Sequence, residues 1–224
     1  MMLPAPLLLA LLLLAGGSAE AAAPPRDARV EALLAKMTVE EKVGQLSVFA
    51  RPAGSDYNPG TGGGWNDTVA ALREGSIGSL YNGAGVAINL QLQKVAVEES
   101  RLGIPLIFGA DVWHGMRTIF PIPMGEAASW DPQLAQQTAR ATAVEATASG
   151  LMWTYSPMLD VARDQRWGRV AEGAGEDPYL GAAFARARVQ GFQGPDLAAN
   201  DSLAACLKHY AGCAQPHPSR PTPP

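Results

Sequence analysis

Short apolar runs rich in strand formers alternate with amphipathic stretches along this chain, and three of those runs end in charged side chains. The alternation predicts an α/β fold with a parallel sheet. The charged ends (Asp111, the Arg163–Arg169 segment and Lys208-His209) choose between two parallel architectures. A doubly wound sheet gathers its ligands at one crevice and commonly shows a Gly-x-Gly-x-x-Gly turn, whereas a (β/α)8 barrel presents side chains from successive strand ends. The second pattern is present. The units counted number about five of the eight in a full barrel, so the expectation is a partial (β/α)8 TIM-like barrel preceded by a signal peptide.

Residues 1–23 are expected to lie outside the fold. Leu7–Leu14 is apolar, and Gly16-Gly17-Ser18 and Ala21-Ala22-Ala23 are the small residues a signal peptidase accepts, although no Lys or Arg precedes Arg26. The run is shorter than the ~20 apolar residues of a spanning helix. It predicts a cleaved secretory signal, no stable membrane association afterwards, and a periplasmic or secreted protein.

A barrel domain is expected over 24–212. Arg29–Met37 has helical apolar spacing at Val30, Leu33, Leu34 and Met37. Thr38-Val-Glu-Glu41 is a capping box that opens a second short helix. Gly44–Ala50 leads into a first strand, and Arg51–Gly64, crowded with Gly, Pro, Asn and Asp, is loop. Asn66–Glu74 is a helix capped by Asn66 or Asp67. Ile77–Tyr81 is a strand, Gly85–Arg101 a long helix, and Pro105–Ala110 a buried strand ending at Asp111. Asp131-Pro132 starts a helix to Ser149, as Asp177-Pro178 does for one reaching about Gln193. Leu151–Ser156 and Leu203–His209 are the remaining strands. The segment 213–224 is proline-rich and cannot form the next helix, so it predicts an aberrant tail interrupting the barrel.

The chain has 224 residues, 47% hydrophobic and 17% charged, with a net charge of −4. That composition supports one sizeable core and excludes a nucleic-acid partner. The glycine-rich loop lacks Gly-Lys-Ser/Thr, so it is no phosphate cradle. His114, His209 and His217 are scattered and no Cys/His spacing suggests zinc, so neither metal nor cofactor is expected. Cys206 and Cys213 could pair in an oxidising compartment or remain free thiols.

Asp, Arg, Lys and His at neighbouring strand ends suit a ligand dense in hydroxyls. A carboxylate accepts bonds from vicinal hydroxyls, and Arg and Lys donate to them. Trp113, Trp153 and Trp167 offer flat faces for a sugar ring, though a tryptophan taken alone is more often core than platform. The residues alone therefore point to an exported carbohydrate-active protein.

Five motifs carry a resemblance. Met37-Thr-Val-Glu-Glu-Lys-Val-Gly-Gln-Leu46, Gly109-Ala-Asp-Val-Trp-His-Gly115, Arg163-Asp-Gln-Arg-Trp-Gly-Arg169, Glu176-Asp-Pro178 and Lys208-His209-Tyr210-Ala-Gly212 resemble, in order, the motifs of glycoside hydrolase family 3, of the bacterial periplasmic β-glucosidase type. The resemblance implies a barrel followed by a second domain, and release of terminal β-D-glucose from a β-glucoside or oligosaccharide with retention of configuration. It implies that Asp111, Arg169, Lys208 and His209 bind the sugar, with Arg163, Asp164 and Trp167 as support. Gln165 stands where the family usually has proline. The family's nucleophilic aspartate and its acid/base lie in segments that this sequence does not show. The chain is thus expected to hold the sugar-binding half and to be inactive alone, or to be a non-catalytic sugar-binding module or non-functional fragment.

Overall fold

The structure is a computed structural model describing residues 27–50, 52, 64–210 and 213. The expected signal peptide, most of the loop 51–64 and all of the tail except Cys213 lie outside the described residues.

Helix α1, Ala28–Leu34, belongs to a separate compact unit ending at Lys36. Asp27 caps it by accepting from the Arg29 backbone N–H at 2.8 Å. Everything that follows belongs to the second unit.

The capping box forms as the spacing requires. Thr38 accepts from the Glu41 N–H at 3.2 Å, and Glu41 accepts from the Thr38 N–H at 2.9 Å, opening α2, Val39–Gln45. Next come β1, Val48–Ala50, and α3, Trp65–Arg73. The α3 cap is Gly64 with no side-chain bond, not Asn66 or Asp67, because the helix already includes both. The order continues with β2, Ser79–Tyr81, and α4, Val86–Lys94, which runs on as a π-helical turn over Val95–Glu99. Across that wider turn Val95 and Ala96 are buried while Val97 is exposed, so the predicted single helix changes register. Strand β3, Ile107–Ala110, is followed by α5, Pro123–Ala127, a short helix the sequence pattern did not reveal. Helices α6, Pro132–Ala148, and α7, Pro178–Gln193, begin where Asp-Pro predicted. Asp131 accepts from Gln133 and Leu134, and Asp177 from Tyr179.

Among the described residues, β1 to β3 with β4, Trp153–Thr154, and β5, Ala204–Ala205, form one parallel sheet in sequence order. The last two strands are shorter than predicted. Their backbones still pair beyond the ladder: Cys206 N–H donates to Ser156 at 2.9 Å, Lys208 to Pro157 at 3.2 Å, and Leu159 to Lys208 at 2.7 Å. Pro157 has no N–H to give, which breaks the regular pattern at that point.

The core lies between sheet and helices. Leu80 and Phe108 from the strands and Leu203, just before β5, meet Leu72, Leu92 and Phe192 from the helices, all nearly inaccessible. Each such side chain contributes about 1.5–3 kcal/mol by leaving water. The buried face of α6 is made of small residues: Ala135, Ala139, Thr142, Ala143 and Ala146. It brings α7 so close that a Cβ on Gly191 would stand 2.4 Å from the Gln136 carbonyl oxygen. Only glycine fits there. No helix among the described residues is long and apolar enough to cross a membrane.

Candidate functional site

The site is built at the ends of β3, β4 and β5. Asp111 is the residue after β3. Its strand carries Gly109 because the Tyr155 ring lies over that position; a Cβ there would stand 2.5 Å from the Tyr155 hydroxyl oxygen. That hydroxyl is buried without a hydrogen-bond partner. Burial, and next the charge of Asp111, push the Tyr155 pKa well above its usual value, so it remains protonated.

The extension of β5 brings Lys208 to Asp111, where Nζ donates to Oδ1 at 2.6 Å. Lys208 is largely covered and Asp111 about half exposed, so a ligand can reach the carboxylate while the ammonium is held behind it. The next residue, His209, turns toward Asp160. Its Nδ1 lies 2.9 Å from Asp160 Oδ2, and its backbone N–H donates to the same oxygen at 3.3 Å. The Asp160 side chain is only 3% exposed, so the imidazole is held by a buried carboxylate.

Arg169 completes the cluster from the loop after β4. Its Nη1 lies 3.4 Å from His209 Nε2. Nε and Nη2 donate to the two Glu172 oxygens at 2.7 and 2.6 Å, a bidentate fork. The Arg169 guanidinium holds Glu172 below the usual carboxylate range, and Glu172 raises Arg169 in turn. If Arg169 donates to Nε2, the imidazole carries its proton on Nδ1 and donates that N–H as a hydrogen bond to Asp160 Oδ2.

The four residues expected to bind the ligand are therefore linked: Asp111 to Lys208, Arg169 to His209, and Lys208 to His209 through the chain. The three expected to support them divide differently. Asp164 caps the 3₁₀ turn Gln165–Trp167 by accepting from the Arg166 N–H, and it pairs with the Arg166 guanidinium. Its partner within the loop is thus Arg166. Arg163 is exposed and Trp167 half-buried. Of the other tryptophans, Trp153 meets Tyr155 edge-on with ring centroids 4.7 Å apart, and Trp113 meets His114 the same way at 4.4 Å.

Sequence reasoning missed Asp160, which lies four residues beyond the predicted strand Leu151–Ser156 in a stretch that is otherwise mostly apolar. An acidic residue at the end of such a run was the available signal. It also missed the support beneath Trp113, whose carbonyl accepts from Arg188 Nη1 at 2.7 Å while Arg188 Nη2 pairs with Glu126 in the core. Of the two expected cysteine states, the structure has the free thiols at Cys206 and Cys213.

Similarity to known proteins follows the same outline. The sequence profile described as "Glycosyl hydrolase family 3 N terminal domain" matches residues 38–222. A periplasmic beta-glucosidase of Salmonella typhimurium is 40% identical over 187 residues, covering 83% of this chain and 23% of that protein. Among solved structures, a beta-glucosidase from Listeria innocua superposes with a TM-score of 0.70 at 35% identity, covering 83% of this chain and 27% of the other. The same enzyme in complex with glucose gives 0.69 and 35%, covering 81% and 26%. The chain spans about a quarter of the length of these relatives. With motif order, parallel sheet and profile in agreement, the chain belongs to glycosyl hydrolase family 3.

Proposed function

We propose that this chain is the sugar-binding portion of a retaining β-glucosidase acting on terminal β-D-glucosyl residues. The observation that carries the reading is the Asp111–Lys208 pair at the sheet's carboxyl end, beside Arg169 and His209. The half-exposed carboxylate would accept from adjacent hydroxyls of one sugar ring. Lys208, with one of its three N–H donors directed at Asp111, and Arg169 would donate to the ring from the same side. A solved relative in complex with glucose supports this choice of ligand.

The same reading takes the five-stranded sheet as about five of the eight units of a barrel. It takes 1–23 as a cleaved signal peptide, 24–212 as the barrel domain and 213–224 as an aberrant tail. The Salmonella relative's name favours a periplasmic location.

Cutting the bond with retention needs two carboxyl groups about 5–5.5 Å apart, one of them a nucleophile and the other an acid/base. The carboxylates around this site are each already bound to a cation or imidazole: Asp111 to Lys208, Asp160 to His209, Glu172 to Arg169. Glu172, held below its usual range, is the opposite of a poised acid. Binding without hydrolysis is therefore the function proposed for this chain by itself.

Calorimetric titration with glucose, run beside an aryl β-glucoside assay, tests both parts. Saturable binding that Asp111→Asn and Lys208→Met each abolish, without turnover, is the expected result. Absence of binding by a folded protein overturns the sugar site. Turnover within the range of ordinary enzymes, roughly 1–10³ per second, overturns the claim that the reacting carboxylates lie elsewhere.

A further inference from the structure

Three donors of different chemistry converge beside the Arg169–His209 contact. A carboxylate oxygen of Asp160, a ring nitrogen of His209 and the Cys213 thiol all lie within 4.8 Å of one another. Two of the three are held in place. His209 is fixed by two contacts to Asp160 Oδ2, and the Asp160 side chain is buried. Cys213 is exposed and free, so it can be approached from solvent.

We propose that Asp160, His209 and Cys213 form a binding site for zinc or a similar borderline-soft divalent cation. Thiolate, imidazole and carboxylate together are the donor set zinc accepts, and three protein ligands leave a fourth position for water. The 2.9 Å between His209 Nδ1 and Asp160 Oδ2 is near the ~3.3 Å expected for two tetrahedral zinc ligands with bonds of about 2.0 Å. The charges agree as well. Lys208 and Arg169 are each paired with a carboxylate, Asp111 and Glu172. The Asp160 carboxylate, bound among the described residues by His209, and the thiolate that Cys213 becomes on losing its proton as the metal binds are then available to a dication. On binding, the thiol proton leaves to solvent as the metal–sulfur bond forms. The imidazole proton moves from Nδ1 to Nε2, which ends the Arg169 contact while Arg169 keeps its fork on Glu172. Sequence spacing could not disclose this set, because Asp160 stands 49 positions before His209.

The site uses the imidazole assigned above to the sugar, but its test needs no sugar. The full chain, kept reduced with a phosphine, is titrated with Co²⁺ and followed by its visible bands and its near-ultraviolet thiolate-to-cobalt charge transfer. The expected result is one equivalent bound with the charge-transfer band, and displacement by Zn²⁺. Cys213→Ser abolishes the band. Asp160→Asn weakens binding by more than the roughly 10–100-fold that loss of an outer-shell partner causes. Cys206→Ser changes neither. No binding by the wild type, a band that survives Cys213→Ser, or a band lost in Cys206→Ser overturns the proposal. Glucose titration of Cys213→Ser, a variant outside the sugar contacts, reports separately on the sugar site.

Discussion

Replacing Arg188 should be among the most damaging single changes in this fold, although the residue is far in sequence from the candidate site. Its side chain is 6% exposed and that of its partner Glu126 is 2% exposed. Burial pulls the Arg188 pKa down, and the adjacent Glu126 charge opposes that shift. The guanidinium is therefore kept as a cation by its partner. Arg188→Met leaves Glu126 buried with Thr138 Oγ1 as its remaining donor at 2.6 Å, and strips the Trp113 carbonyl of its bond. An uncompensated buried charge of this kind costs about 3–5 kcal/mol, a large share of the ~5–15 kcal/mol that holds a typical domain folded. Removing the charge as well should relieve most of the loss. The double variant Arg188→Met/Glu126→Leu forfeits the hydrogen bonds to Trp113 and Thr138, at about 1 kcal/mol each, but exchanges an ion pair for apolar contact, which is often neutral or better. It is expected within about 2 kcal/mol of the wild type, giving a strongly non-additive cycle. Urea unfolding followed by tryptophan fluorescence measures all four corners. A loss below about 1 kcal/mol for Arg188→Met, or a double variant as unstable as the sum of the singles, would refute the assignment of this pair as a structural anchor.

Other predictions test separate links. Gly191→Ala forces a Cβ against the Gln136 carbonyl and Ala139, and should destabilise by about 1–3 kcal/mol in the same urea assay, as overpacking does. Tyr155→Phe removes a buried hydroxyl that has no partner, so stability should be unchanged or higher; a clear loss would show that the hydroxyl is bonded. The Arg166 guanidinium beside Asp164 holds that carboxyl at about 2, below its usual value. A depressed acid contributes stability above its unfolded pKa, about 4, and loses it as pH falls toward the folded value. Asp164→Asn should therefore flatten the acid limb of stability between about 4 and 2, by a small amount because the pair is exposed to solvent. An unchanged acid limb would remove Asp164 from the loop's support.

How much of this was legible depended on how local each signal was. The capping box at Thr38–Glu41 and the Asp-Pro starts at Asp131 and Asp177 use neighbouring residues, and all three form as read. Asp111, Lys208 and His209 were visible as charges at the ends of apolar strands, and the parallel sheet brings them together. What failed was non-local or chemically inconspicuous. The α3 cap is a bare glycine backbone, and α5 begins within a Pro-Ile-Pro stretch that reads as loop. Asp160 was hidden because its partner is 49 residues away, and Arg188 because its charge is spent inside the core on Glu126 and Trp113.

Those two hidden residues divide the work beneath the site. Arg188 fixes the backbone at Trp113, two residues beyond Asp111, while Asp160 fixes the imidazole and backbone of His209, the residue after Lys208. The segments that carry Asp111 and Lys208, two of the residues proposed to bind the sugar, are thus each held from behind by a buried charged side chain. Conservative changes in the two layers should separate. Lys208→Met should remove ligand contact and leave the fold intact, because Lys208 meets a carboxylate that stays half exposed to water. Arg188→Lys keeps the charge but cannot hold Glu126 and the Trp113 carbonyl in one planar fork. Its expected signature is lowered stability together with weakened glucose affinity. If affinity falls while the unfolding midpoint does not move, Arg188 acts on the ligand directly and the two-layer assignment is wrong.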